Sequence, residues 1–350
     1  MAGIRRRVRG VSTTRERRIL VALFAAGVAT FALLYSAQAV LPAFGAEFGV
    51  TPAGSTLAVS LATIGLGVAL LVAGPLSETY GRIRLIRASM TLSGLVALAC
   101  AVAPDWRTLL ALRLVEGVTL AGVPAVATAY LREEMPRGFH ARAAGLYVGG
   151  TALGGMIGRL VTAGVADVAG WRWGLAAAGA VGIGCALAVQ LTLPASRNFT
   201  AAPARPRHLA ALVRPAATDP ALLALYGIGC CAMGAFVAVF NTLAYRLTAA
   251  PFGLSLAAVG LVFLVYPAGS VSSAVAGRFA DRIGRRSVVA IGCGVTALGV
   301  VVTLVGAALL LSRCGGAPPS DGAPPPSTCA GQQSPMVTQP PQLTPLHRQL

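Results

Sequence analysis

The sequence predicts an all-α integral membrane protein, and three observations carry that reading. Of the 350 residues, 56% are hydrophobic and 11% are charged, against about 25% charged in a soluble domain. A water-soluble fold of this composition would lack the polar surface to cover itself. The apolar residues fall in nine continuous runs of the length a membrane helix needs, about 20 residues, not in the short alternating segments of a β-barrel. The basic residues are all arginine, 28 of them, and apart from Arg113 and Arg159 they gather at and between the ends of the runs in a regular alternation.

The expected spans are 19–41, 55–76, 84–103, 107–131, 141–164, 172–193, 222–244, 255–276 and 287–311. The N-terminus carries Arg5, Arg6, Arg7, Arg9, Arg15, Arg17 and Arg18. The loops after spans two, four, six and eight carry Arg82, Arg84 and Arg87; Arg132, Arg137 and Arg142; Arg197, Arg205, Arg207 and Arg214; and Arg278, Arg282, Arg285 and Arg286. The opposite loops and the tail hold only Arg107, Arg172, Arg246, Arg313 and Arg348. Every second loop is basic, so the expectation is a multi-pass protein of a bacterial-type inner membrane with a cytoplasmic N-terminus. The first apolar run, 23 residues from Ile19 to Leu41, exceeds the 7–15-residue core of a signal peptide and is read as a retained span.

The formal net charge of +17 would suggest nucleic acid on a soluble protein. Here the arginines lie in loops, so the expected contacts are membrane lipid and no nucleic acid. Of the seven cysteines, five (Cys100, Cys185, Cys230, Cys231 and Cys293) lie inside apolar runs as small packing residues, and no C-x-x-C pair is present. His140, His208 and His347 are scattered outside the runs and make a poor ligand set. No metal or cofactor is expected. The absence of H-E-x-x-H, G-x-S-x-G and a phosphate-binding loop argues against a membrane-embedded enzyme.

Five segments follow: a basic N-terminus (1–18), a six-helix half (19–193), a cytoplasmic linker (194–221), three further helices (222–311) and a proline-rich tail (312–350). Val72-Ala73-Gly74 recurs as Val275-Ala276-Gly277, an offset of 203 residues. The same offset carries Gly81 onto Gly284, Arg82 onto Arg285 and span one onto span seven. Two halves of like topology joined by a cytoplasmic loop are the pattern of parallel repeats in transporters. The repeat stops where span four would fall on 310–334. That stretch has no apolar run, and nine prolines lie between 312 and 350, the composition of a disordered tail.

Two turns repeat a glycine–carboxylate–glycine–arginine arrangement: Gly74, Glu78, Gly81, Arg82 and Gly277, Asp281, Gly284, Arg285. Glycines permit the tight turn, and a carboxylate four residues after the first glycine faces a helix N-terminus or a nearby arginine. These turns resemble the loop signature of the major facilitator superfamily. The first copy also matches at Leu76 and Ser77 and departs at Ile83; the second matches at Ala280 and Arg286 and has Phe279 in place of leucine. The resemblance covers about residues 15 to 311. It implies a major facilitator-type bundle, here a six-helix half plus an incomplete three-helix half, apparently truncated after the ninth helix.

Two further motifs fit the same resemblance. Arg113-Leu114-Val115-Glu116-Gly117 looks like the fourth-helix pattern of proton-coupled exporters. Arg113 and Glu116 stand three apart, on one helix face, and Glu116 is the carboxylate well inside a span, where charge is costly. It is therefore a candidate proton carrier or, with Arg113, a structural ion pair. The fifth span carries Gly154, Gly155, Gly158 and Arg159, which look like bacterial drug or sugar efflux permeases, although the Gly-Pro step of the drug:proton antiporters is missing. Small residues let helices approach closely; Arg159 either snorkels to a surface or lines a cavity. Gln38 and Asn241 are read as cavity-lining groups or as a helix–helix hydrogen bond.

The function expected from these features is secondary active transport: proton-coupled efflux of a small molecule, by two halves rocking around a midplane site. The partners are then a small-molecule substrate and protons. A truncated or frame-shifted membrane protein without transport activity is the alternative.

Overall fold

The computed structural model describes residues 14–136, 139–196, 199, 218–250, 252–266, 268, 269, 272, 279 and 283–315. Among these, every regular element is helical: α1 (Thr14–Ser36), α2 (Leu41–Phe48), α3 (Pro52–Ser55), α4 (Leu57–Tyr80), α5 (Arg82–Ala101), α6 (Trp106–Leu120), α7 (Gly122–Glu134), α8 (His140–Ala169), α9 (Trp171–Thr192), α10 (Pro220–Thr248), α11 (Leu256–Leu261) and α12 (Arg285–Gly315). Seven stretches are long and apolar enough to cross a membrane: Thr14–Phe48, Pro52–Tyr80, Arg82–Ala101, Trp106–Glu134, Ala143–Ala169, Trp171–Thr192 and Pro220–Thr248. They coincide with the first seven expected spans. The eighth is described over Leu256–Val265, and the ninth lies in α12, which runs on to Gly315, past the expected boundary at 311. The linker beyond residue 199, the tail beyond Gly315, and Gly277 and Asp281 of the second turn lie outside the described residues.

Side-chain caps start several helices where the sequence supplies them. Asp105 accepts from the Thr108 amide at 2.9 Å, Thr51 from Gly54 at 3.0 Å and Asp219 from Ala221 at 2.8 Å. Gly81 and Gly284, one repeat apart, both hold positive φ, 98° and 87°. Only glycine adopts that region without strain, so the repeat read in sequence recurs as backbone geometry.

Two spans break where proline falls. Pro42 lacks the amide that would bond the Gln38 carbonyl, and residues Ala37–Val40 tighten into a 3₁₀ turn between α1 and α2. Pro124 interrupts the fourth span in the same way, between α6 and α7.

The first six spans, with α10 and α11, form one compact unit, and α12 belongs to a second. The first span is central to its unit: 78% of its apolar window is buried, against none of α10's. Two glycine seams set the packing. A Cβ on Gly154 would overlap the Val28 carbonyl, and one on Gly158 the Ala32 carbonyl, so α8 rides directly on the α1 backbone. Gly65 and Gly117 let α4 and α6 meet as closely.

One end of the bundle bears arginines bonded to helix ends. Arg15 donates to Glu134 at 2.5 Å and to the Ala195 carbonyl at 2.9 Å, and Arg87 donates to the Leu193 carbonyl at 2.8 Å. The opposite end carries an aromatic cluster of Phe44, Phe48, Trp106 and Trp171, ring centres 5.1–6.4 Å apart. Arg172 there donates to the Ala103 carbonyl at 2.7 Å.

Candidate functional site

The first glycine turn is built around Arg82. Its Nη1 donates to Ser77 Oγ at 2.6 Å, and its Nε and Nη2 reach Glu133 Oε1 at 3.1 and 2.8 Å. Glu78 stands 3.9 Å away, one helical turn back. The principal counter-charge of Arg82 is thus Glu133, at the end of α7. The pair is part-exposed, 12% and 27% for the two side chains, so its net contribution is modest, on the order of 1 kcal/mol. Its fork geometry fixes the end of α7 against the turn between α4 and α5. Glu133 escaped the sequence reading; the Glu133-Glu134 doublet in a basic loop was the signal that could have found it.

Arg113 and Glu116 lie in α6, 1% and 0% exposed, with Arg113 Nη1 2.6 Å from Glu116 Oε2. The remaining guanidinium donors reach backbone carbonyls on other helices: Ala58 at 2.9 Å, Leu33 at 3.2 Å and Leu34 at 2.6 Å. Cys100 Sγ donates to Glu116 Oε2 at 3.5 Å, and Glu116 Oε1 has no hydrogen-bond partner among the described residues. The ion pair is therefore also a clamp on α1, α4 and α6, with one carboxylate oxygen left over.

A cavity of about 670 Å³ lies between α1 and α8 on one side and, on the other, α10 and the residues Val265, Tyr266 and Gly269 that follow α11 in the eighth span. Phe31, Tyr35, Phe236, Phe240 and Tyr266 give it an aromatic wall, and Gly145 to Gly155 of α8 form a smooth one. Along α8 it extends roughly 15 Å, ten residues at 1.5 Å each, from near the arginine-bearing end to mid-span. Past Gly155 the helices close together. The Tyr245 hydroxyl donates to the Leu41 carbonyl at 2.7 Å and stands 2.6 Å from Ser55 Oγ. Asp167 accepts from the Leu256 amide at 2.9 Å.

Arg159 sits behind the closed end of the cavity, fully buried. Its Nε donates to Gln38 Oε1 at 2.7 Å and its Nη1 to the Gly155 carbonyl at 2.7 Å. Gln38 in turn donates to Asn241 Oδ1 at 2.5 Å. The guanidinium carbon lies 4.3 Å from the Tyr35 ring centre, 4.8 Å from Phe263 and 4.9 Å from Tyr266. Arg159 therefore does not snorkel to a surface. Among the described residues no carboxylate pairs with it, and Nη2 is left without an acceptor in good geometry, with the Tyr266 side chain beside it. Charge in mid-membrane costs about 2.5–3.5 kcal/mol even on insertion scales, and each ring returns about 0.5–2 kcal/mol. The rings and neutral hydrogen bonds hold the cation without neutralising it.

The superfamily's sequence profile matches residues 19–317. The chain belongs to the Major Facilitator Superfamily. Among its relatives, the inner membrane transport protein YnfM of Escherichia coli (strain K12) is 40% identical over 283 residues, covering 81% of this chain and 68% of that protein. The MFS-type transporter YybF of Bacillus subtilis (strain 168) is 35% identical over 288 residues, covering 82% and 71%. A solved structure of a bacterial homolog of the human lysosomal transporter Spinster matches with a TM-score of 0.57 at 17% identity, covering 79% of this chain and 63% of that one. A D-xylose-proton symporter matches with a TM-score of 0.52 at 14% identity, covering 76% and 69%. The chain thus spans less than two thirds of the Spinster homolog. Membership of the superfamily makes it a multi-pass membrane protein of a transporter family, not an enzyme.

On that superfamily fold, the structure brings Gln38, Asn241 and Arg159 into one network, and Arg113 and Glu116 into another. Gly154 and Gly158 belong to the α1 seam, whereas Gly155 faces the cavity and supplies a carbonyl to Arg159. The cavity rings Tyr35, Phe240 and Tyr266 escaped the sequence reading, because aromatic residues in an apolar run carry no mark of which face they occupy.

Proposed function

We propose that the protein is a secondary active transporter that exports a small molecule in exchange for protons, by alternating access. The observation that carries this reading is the cavity between α1–α8 and α10 with the eighth-span residues after α11, closed beyond mid-span by the Tyr245, Asp167 and Arg159 contacts. A cavity reaching toward one end and sealed toward the other is one of the two states an alternating-access carrier requires. With the arginine-bearing end in the cytoplasm of a bacterial-type cell, as the positive-inside rule directs, this is the inward-facing state. The sequence-repeat halves, joined through residues 194–221, would rock about it.

Glu116 is the proton carrier in this reading. Its Oε1 is free to take a proton, and protonation removes the charge that holds Arg113 Nη1. Arg113 also grips carbonyls of α1 and α4, so releasing one of its partners alters the packing of α1, which walls the cavity, against α4.

The experiment is substrate movement in proteoliposomes under an imposed pH gradient. The wild type should show gradient-driven transport and Glu116→Gln should lose it while remaining folded. Equal gradient-driven rates for the two would end the proton role of Glu116, and no gradient dependence in the wild type would end exchange.

A further inference from the structure

The Arg159 site has a cation and an adjoining cavity, and the pairing of the two points to a substrate class. Arg159 is fully buried in mid-span and has no counter-carboxylate among the described residues. Its bonds to Gln38 and the Gly155 carbonyl engage Nε and Nη1, and the Tyr266 side chain, a neutral partner, is the group beside the rest of the guanidinium. Tyr35, Gly155 and Tyr266 both surround the guanidinium and line the cavity, so the charge stands one side chain behind the cavity wall. Tyr266 is only partly buried and is the cover that can yield.

We propose that Arg159 anchors an organic anion: a small carboxylate with an aromatic or flat apolar body. The guanidinium matches a planar carboxylate, and a charge-assisted bond in a water-poor site is stronger than a neutral one. The aromatic wall formed by Phe31, Phe236 and Phe240 takes the apolar body. A neutral or cationic ligand would leave Arg159 uncompensated, and a cationic one would add a like charge beside it. This inference rests on reading the cavity as the substrate site.

The test is isothermal titration of the purified full chain in detergent with three probes of one shape: 2-naphthoate, 2-naphthamide and 2-naphthylmethylammonium. The carboxylate should bind at least about tenfold more tightly than the amide, and the ammonium most weakly. In Arg159→Gln the ratio of carboxylate to amide affinity should fall to near one. Should that variant not fold, Gln38→Glu supplies an internal carboxylate beside Nε and should collapse the same ratio. Arg172→Gln, at the far end of the bundle, should keep it. Equal affinities in the wild type, tightest binding of the ammonium, no saturable binding of any probe, or a ratio unmoved by the Arg159 and Gln38 changes would each overturn the proposal. The measurement needs no gradient. A carboxylate preference without transport would count against the transport reading alone, and transport without the preference against this inference alone.

Discussion

Gln38 and Asn241 stand 203 residues apart and bond to each other, amide nitrogen to side-chain oxygen, at 2.5 Å. The same offset relates the two glycine turns, where Gly81 and Gly284 share positive φ. The Gln38–Asn241 bond therefore joins two positions that share the offset of the sequence repeat. The repeats differ beside it: Pro42 breaks the first span just past Gln38, and the position equivalent to Pro42 is Tyr245, in an unbroken helix.

The bond should show as coupling. Gln38→Ala and Asn241→Ala should each lower the unfolding free energy of the purified protein, and the double variant should cost less than their sum. Interhelical polar bonds in membrane proteins contribute about 0.6 kcal/mol on average and up to about 1.7, so a coupling of about 0.5–1.5 kcal/mol is expected. Denaturant titration of the four proteins measures it. Strict additivity would mean the two side chains act independently.

The glycines of α8 divide by position. Gly154 faces the Val28 carbonyl closely enough that a Cβ would overlap it, while Gly149 has nothing within 4 Å of a Cβ. Gly154→Ala and Gly158→Ala should therefore destabilise by about 1–3 kcal/mol or more through overpacking. That exceeds the gain in helix propensity, about 1 kcal/mol. Gly149→Ala keeps only the gain and should be neutral or slightly stabilising. Melting temperatures of the three variants decide it; similar shifts for all would remove the seam.

The spans, the repeat and the small-residue face were legible because each is a local pattern of hydrophobicity or side-chain size along one helix. The partners were not. Arg82 meets Glu133 across 51 residues and Arg159 meets Gln38 across 121. Which helices touch, and with what rotation, is set by tertiary packing, and a helix that is apolar all round gives no moment from which to read its rotation. Gln38 and Asn241 stood out as polar groups in apolar runs, yet only the structure pairs them with each other and with Arg159.

Arg82 and Glu133 should rescue one another. Arg82→Glu places two carboxylates where a fork now closes and should loosen the turn between α4 and α5 from the end of α7. Adding Glu133→Arg restores opposite charge with poorer geometry. Protease cleavage of the turn between α4 and α5 should be fastest in Arg82→Glu and intermediate in the swap. Equal cleavage in the single and double variants would show that Glu133 is not the working partner.

The Tyr245 hydroxyl is the latch on the opposite end in the alternating-access reading proposed above. It donates to the Leu41 carbonyl and sits against Ser55, tying α10 to the break between α1 and α2 and to α3. Tyr245→Phe keeps the ring and removes these bonds, each worth about 0.5–1.5 kcal/mol net. Since 1.4 kcal/mol is tenfold in an equilibrium, losing both should shift the balance between closed and open opposite ends by about five- to a hundredfold. Spin labels on the exposed Thr51 and Ala249, introduced after removal of the native cysteines, report the separation of α3 from the end of α10. The wild type should give one short distance, and Tyr245→Phe a second, longer population. A single unchanged distance would mean that the aromatic ring and the Asp167–Leu256 contact hold this end without the hydroxyl, and that the latch lies there instead.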